Sequence, residues 1–320
     1  MCWLYLIVLS PMTSATSSPP RPQLPIGRVG IWTWTLDSQP MAVSQEAVAE
    51  LESLGFGCVW IPEAVGREPF AAAALLLSAT KKIVVATGIA SIHARSAATM
   101  QAGQKTLTQA FPERFLLGIG VSHSNMVKVF HKAVYDKPYT TMVEYLDVMD
   151  SGMFAAAPPT TPLHRVLAAL GPKMVKLAGE RADGAHPYFT TPDHTASARE
   201  ILGDGPMLAP EQAVILETDP TKAREIARKF MTTYTRQPNY ANNLLRGGFT
   251  AEDLKDANGA QSDRLVDAIV AWGSLETVAQ RIKDHLDAGA SHVSVQVLQD
   301  DLTALPSAQW RELATAIRFI

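Results

Sequence analysis

Residues 165–186 read "RVLAALGPKMVKLAGERADGAH". The run 165–170 is apolar apart from its first arginine, as in a strand covered on both faces. A glycine–proline pair stops that run, and the residues after it take helical spacing up to a second apolar run, "GAHPYF" (184–189). Strand, tight turn, helix and next strand in so short a span make a βαβ unit, which joins parallel strands. Proline suits the first turn of a helix, where its missing N–H is not needed.

The same alternation extends in both directions. Upstream, strands are predicted at 27–34 ("GRVGIWTW"), 57–61 ("GCVWI"), 82–89 ("KIVVATGI") and 114–121 ("RFLLGIGV"). Helical stretches follow each of them, at 44–54, 68–80, 95–110 and 140–152. Ser44 reads as the cap of the first helix and Gly55 as its stop. Downstream, strands at 209–217 ("APEQAVILE") and 291–298 ("SHVSVQVL") alternate with helices at 193–203, 219–235 and 274–290 and a closing helix, "SAQWRELATAIRF". A more polar, largely helical excursion covers about 236–270. Eight strands alternating with helices predict an α/β fold, a (β/α)8 TIM-type barrel with a helical insertion after strand seven. A doubly wound open sheet is the rival arrangement.

Composition bounds the function. Hydrophobic residues make up 47% of the 320, enough for a large core. Lys plus Arg total 28 against 31 Asp plus Glu, a net charge of −3, and no basic run marks a nucleic-acid surface. Only Cys2 and Cys58 carry thiols, which argues against a disulfide framework and for a reducing cytoplasm. Residues 1–26 differ from the rest and read as a disordered or misassigned leader. Their apolar start is too short to span a membrane and lacks a charged region before it. The Ser/Thr/Pro-rich stretch 13–25 has the composition of a disordered arm. Translation from Met12 would remove the apolar part, leaving 27–320 as a single barrel domain.

In such a barrel, chemistry gathers at the carboxyl ends of the strands. That rule selects Trp34 after strand one and Glu63 after strand two. It selects Thr87, Gly88, Ile89 and Ser91 after strand three, with Arg95 just beyond. Ser122 and His123 follow strand four; Gly171, Pro172 and Lys173 follow strand five. His186 and Tyr188 belong to strand six and Gln296 to strand eight. Each has a plainer reading. Glu63 would accept from backbone amides or pair with Arg67, and His123 would be a solvated loop histidine. Trp32, Trp34 and Trp60 read first as core or rim packing. The turn at Gly171 and Pro172 has a functional reading too. Free N–H groups from Lys173 onward, the helix dipole and the Lys173 charge together favour a phosphate.

Other motifs are incomplete. "GIGVSH" (118–123) lacks the third glycine of a dinucleotide fingerprint, and "GVSHS" (120–124) lacks the last glycine of a nucleophile elbow. The eight histidines show no tight metal-ligand spacing, so no metal site is predicted.

The order "GIWTW", "WIPE", "VVATGI", "PERFLLGIGVSHS", "YLDVMDSG" and "LAALGPKMVKLAGERADGAHPYFTTPDH" resembles the bacterial luciferase-like family, and within it the actinobacterial F420-dependent oxidoreductases. The resemblance runs from about residue 27 to the end. It implies a barrel that binds the deazaflavin coenzyme F420, or FMN as the alternative, at its carboxyl face. It implies a non-prolyl cis peptide at Gly88–Ile89, in the Thr87–Gly88–Ile89 segment that backs the cofactor ring. It also implies that the turn of Leu170, Gly171, Pro172 and Lys173 contacts the cofactor phosphate, and that Ser122 and His123 line the cofactor cleft. Trp34 and Arg95 are the candidates for the substrate pocket. Several deazaflavin-dependent members carry a histidine shortly after strand two, whereas "WIPEAVGRE" offers Glu63 and no histidine. Glu63 is therefore the candidate proton donor, provided burial raises its pKa.

The expected activity is hydride transfer between F420 and a small organic substrate in a cytoplasmic homodimer. The alternatives are an FMN-dependent luciferase-like monooxygenase and a flavin-binding protein without turnover. No nucleic-acid or membrane partner is expected.

Overall fold

A computed structural model describes residues 24–255 and 259–318. The readings of Cys2, of most of the leader and of a start at Met12 lie outside these residues. Eleven strands are present among the described residues: β1 (Val29–Trp32), β2 (Cys58–Ile61), β3 (Val84–Thr87), β4 (Ala90–Ser91), β5 (Phe115–Gly120), β6 (Arg165–Leu167), β7 (Gly184–Ala185), β8 (Met207–Leu208), β9 (Glu211–Ile215), β10 (Val270–Trp272) and β11 (Val293–Val297). They form one sheet in the order β10-β9-β11-β1-β2-β3-β5-β6-β7-β8, with β4 attached to β5. Every pairing is parallel.

β8 and β9 stand far apart in that order yet are successive pieces of one extended run, broken at Ala209 and Pro210. Pro210 has no N–H to give a ladder, but its carbonyl accepts from Ser294 N at 2.9 Å. Just before it, Leu208 O accepts from Ser291 N at 2.8 Å. One segment thus belongs to both limbs of the sheet, which curls back on itself. The strand expected at 209–217 shortens to β9, β8 just before it was not expected, and the strand expected at 184–189 shrinks to β7.

Alternate residues of each strand face opposite ways. Ile31, Val59, Val85, Leu117 and Val295 pack outward among helix residues such as Val48, Leu76 and Trp310. Trp32, Cys58, Trp60, Val84, Ala86, Leu116 and Val166 fill the concave side. Both faces are apolar, which is why these strands read as unbroken apolar runs. Within the curl, Trp60 stacks on His186 with centroids 4.2 Å apart and donates from Nε1 to His292 Nε2 at 3.1 Å. That bond puts the His292 proton on Nδ1, which donates to Gly27 O at 2.8 Å. Burial pulls both histidines down to about 4, so they are neutral members of the core.

Helices cover the outer face. The first runs over Met41–Leu54 and starts before Ser44, so Ser44 is not its cap. Fully buried one turn inside, the Ser44 hydroxyl donates to Leu36 O at 2.8 Å. Gly55 closes the helix at φ 94°, a left-handed conformation that favours glycine. Ser96, Thr191 and Ser274 cap the helices Ala97–Ala110, Pro192–Leu202 and Leu275–Asp287 through their hydroxyls. Helices Pro220–Thr235, Pro238–Arg246, Ala251–Leu254 and Asp263–Ile269 stand between β9 and β10. The sequence reading ran helix to about 270. In the structure Val270, Ala271 and Trp272 instead pair with Ala213, Val214 and Ile215. Among the described residues, no helix is long and apolar enough to cross a membrane.

Candidate functional site

At the carboxyl end of β3 the chain bends sharply, and the Gly88–Ile89 peptide is cis, at the position expected. Thr87 is fully buried, and its hydroxyl donates to Gly118 O at 2.7 Å and accepts from Gly118 N at 2.9 Å. A Cβ on Gly118 would stand 2.0 Å from Thr87 O, so β5 can lie this close only with glycine there. Trp32 Nε1 donates to Gly88 O at 3.0 Å, and Gly88 N to Ile61 O at 2.7 Å. Thr87 therefore holds the bend in place, and its hydroxyl is fully used by backbone.

Glu63 and Arg95, expected in different roles, are brought together. Arg95 donates from Nη1 to Glu63 Oε2 at 2.9 Å and from Nη2 to Glu63 Oε1. Ser91 N also donates to Glu63 Oε2, at 2.6 Å. The guanidinium lies over the Phe70 ring, reaches Glu68 at 3.1 Å, and is 9% exposed against 10% for Glu63. Both carboxylate oxygens are thus occupied as acceptors in a two-pronged ion pair. The proton-donor role of Glu63 does not fit this geometry, nor does a free Arg95 reaching for substrate. Together they brace the β3 bend against the loop after β4. Arg67, the partner considered for Glu63, instead donates to Leu36 O at 2.6 Å.

Ser122 sits at φ 57° and redirects the chain after β5, where Tyr135 donates to its carbonyl at 3.4 Å. His123 packs against the Tyr240 ring at 5.2 Å, and burial lowers its pKa. Tyr240 lies on helix Pro238–Arg246, and the far end of that helix reaches the glycine–proline turn.

Gly171 stands at the N-cap of helix Pro172–Arg181 without any side-chain cap. Next to it is a cavity of ≈340 Å³ lined by Leu170, Pro172, Thr190, His194, Asn243 and Arg246 among others. Helix Pro192–Leu202, capped by Thr191, also opens onto it. The amides of Lys173 and Asp193 precede the first intrahelical bonds of these two helices. A Cβ on Gly171 would lie 3.7 Å from the Arg246 guanidinium, whose hydrogen bond to Asn243 Oδ1 is 3.2 Å. Thr190 is 2% exposed, and its hydroxyl has no partner. His194 donates from Nε2 to Leu170 O at 2.9 Å, while burial and the nearby Arg246 charge lower its pKa. Two helix N-termini, a guanidinium and a spare buried hydroxyl suit an anion. Asp193, exposed on the rim, is the one acidic group in the lining.

Of the expected phosphate turn, Leu170 and Pro172 line this cavity, and Gly171 stands between them. Lys173 is exposed and is not part of the lining. The charge it was to supply comes from Arg246, which sequence reasoning missed along with Thr190. "TTPDH" (190–194) carried a signal for the second helix start, since it repeats the strand–turn–proline pattern of "LGPK". Arg246 had none. Trp34, half-buried, stacks on Phe230 at 5.9 Å and donates from Nε1 to Leu302 O at 2.9 Å. It joins an aromatic wall with Tyr188, Phe189, Phe230 and Tyr234. No group of metal-ligating side chains occurs among the described residues.

The profile of the luciferase-like monooxygenase family matches residues 28–292. A curated protein of Mycobacterium tuberculosis (strain ATCC 25618 / H37Rv), provisionally named a coenzyme F420-dependent oxidoreductase, is 27% identical over 208 residues. That match takes in 56% of this chain and 59% of the relative, so the chain spans less than two thirds of that protein's length. Among solved structures, an F420-dependent secondary alcohol dehydrogenase bound to an F420–acetone adduct superposes with a TM-score of 0.73 at 17% identity, covering 91% of this chain and 99% of that one. The coenzyme F420-dependent tetrahydromethanopterin reductase of Methanopyrus kandleri gives 0.71 at 18%, covering 90% and 97%. The oxygenating constituent of 3,6-diketocamphane monooxygenase of Pseudomonas putida, in complex with FMN, gives 0.67 at 16%, covering 91% and 96%. At these identities the likeness speaks for the fold.

Proposed function

This chain belongs to the luciferase-like monooxygenase family, and from that premise we propose that it is an oxidoreductase that binds coenzyme F420 and exchanges a hydride between it and a small organic substrate. The curled sheet is read as a (β/α)8 barrel, with the helices between β9 and β10 as an insertion over its carboxyl face. The observation that carries the reading is the anion cavity at Gly171. It opens at the same end of the sheet as the Gly88–Ile89 bend, as a cofactor with a ring at one end and a phosphate at the other requires. The turn of Leu170, Gly171 and Pro172, the Thr190 hydroxyl and Arg246 would hold the phosphate. The bend, fixed by Thr87 and Trp32, would back the ring, and His123 would stand at its edge.

When bound, the deazaflavin supplies two-electron hydride chemistry. The protein's part is to hold it, to shield it with the aromatic wall and to orient the substrate. Glu63 and Arg95 contribute by keeping the bend rigid. FMN carries a phosphate too, so the same cavity serves the second reading, a monooxygenase fed with reduced FMN. A homodimer remains part of the proposal.

An equilibrium titration of the protein, following the fluorescence of F420 and separately of FMN, tests the assignment. Saturable F420 binding with much weaker FMN binding is expected. Preference for FMN would move the chain to the monooxygenase reading. Binding of neither by folded protein would sink both. Tight binding with no donor or acceptor ever turned over would leave a flavin-binding protein without activity.

A further inference from the structure

The chain just beyond β7, strand β11 and helix Pro220–Thr235 bring three polar side chains to one point. Tyr188 Oη lies 2.8 Å from Gln296 Oε1 and 2.8 Å from Tyr234 Oη. The two tyrosines are half-buried, whereas Gln296 is 2% exposed and its Nε2 has no partner. Their rings pack 5.1 Å apart. Tyr188 is also 5.1 Å from Trp32, the residue that donates to Gly88 O. The hydroxyl pair therefore stands one ring away from the Gly88–Ile89 bend, in the aromatic wall. Ring packing alone would be met by phenylalanine at both positions. A glutamine buried with half its amide unused is costly, so its presence calls for a task.

The two ends of an amide have nearly the same shape, and turning it over exchanges an acceptor for a donor. In the orientation observed, Gln296 accepts from Tyr188, Tyr188 accepts from Tyr234, and the Tyr234 oxygen is left to accept from a ligand O–H. With the amide turned, Nε2 donates to Tyr188, Tyr188 donates to Tyr234, and the Tyr234 O–H is left to donate to a ligand carbonyl. One network thus fits both members of an alcohol–carbonyl couple without any proton leaving the protein.

We propose that the Tyr188–Tyr234 hydroxyl pair, oriented by Gln296, binds the oxygen atom of a small alcohol or of the corresponding carbonyl compound. The role of that ligand as substrate rests on the oxidoreductase reading above; its binding does not. The surroundings keep the site uncharged. Burial holds the hydroxyls of Tyr188, Tyr234 and the adjacent Tyr240 well above the usual tyrosine range. Burial also pushes the nearby Glu211 carboxyl up to about 8, so at pH 7 it is mostly protonated.

The test is an absorbance titration of the full chain with 4-nitrophenol, at a pH where that phenol is neutral, and with nitrobenzene as the matched ring without the hydroxyl. Tyr234→Phe and Tyr188→Phe should each weaken 4-nitrophenol binding about 10-fold or more and leave nitrobenzene binding unchanged. Equal 4-nitrophenol affinity in wild type and Tyr234→Phe, or no preference of the wild type for 4-nitrophenol over nitrobenzene, would overturn the proposal. Melting curves check folding. Should Tyr188→Phe not fold, Tyr234→Phe on the outer helix carries the test alone. F420 titrations of the same samples separate the two ideas. A wild type that prefers the phenol but does not bind F420 keeps the oxygen site and loses the oxidoreductase reading. F420 binding with indifference to the phenol does the reverse.

Discussion

Removing the Glu63 carboxylate would leave the Arg95 guanidinium, 9% exposed and anchored to Glu63 through both terminal nitrogens, with Glu68 as its remaining carboxylate. Glu63→Ala should destabilise the protein by about 2 kcal/mol, less than the roughly 3–5 expected when one member of a buried pair is left alone. Glu63→Gln, which still accepts from Ser91 N, should cost less; urea unfolding midpoints check both. Each residue was legible as a strand-end candidate, but their partnership was not, because nothing in the spacing of 63 and 95 says that two loops cross there. Glu211 carries a different prediction. Its folded pKa of about 8 lies above the ordinary 4.5, so between those values the folded chain holds a proton that the unfolded chain releases. Its contribution is fully present below about 4.5 and is lost as pH rises to about 8, by up to about 1.4 kcal/mol per pH unit. Glu211→Gln should therefore gain on the wild type as pH rises through that window, in unfolding measured at pH 5, 6, 7 and 8.

Helix starts decide the anion site, and they were partly readable. Proline after a glycine at the end of an apolar run marks Gly171 and Pro172 from sequence alone, because proline at the first helical position leaves its sequence signature. The charge facing that turn comes from helix Pro238–Arg246, and no local pattern ties residue 246 to residue 171. That is why the sequence points to Lys173, the next cation along the chain, while Arg246 is the one that lines the cavity. Arg246→Met should weaken F420 binding about 10-fold, the worth of one charge-assisted hydrogen bond, with little change in melting temperature. Lys173→Met should change binding far less. Fluorescence titration of the two variants side by side distinguishes the cations. The strands were legible wherever both faces are covered. β7 is only the start of the strand read there, β8 is too short to announce itself, and β10 hides at the end of a helical run.

Across the whole molecule, three buried histidines set the acid limit. His186 and His292 are drawn down to about 4 and His285 to about 3, each chiefly by burial. Their folded values lie below the ordinary 6.5, so the unfolded chain binds more protons and stability falls as pH drops from about 6.5 towards 4. Glu211 acts in the opposite sense from about pH 4.5 to about 8, and three histidines outweigh it up to about 6.5, so stability should peak near pH 6.5, which a series of melting curves checks. The eight-strand alternation made the architecture legible because helices cover the sheet throughout. What it could not convey is that the stretch between β9 and β10 serves two separate points. Tyr234 from that stretch reaches the oxygen site, while Asn243 and Arg246 reach the anion cavity. The small ligand at the first point and the cofactor phosphate at the second would both depend on this single piece of chain. Their residence times would then be tied together, so loosening that piece should shorten both stays.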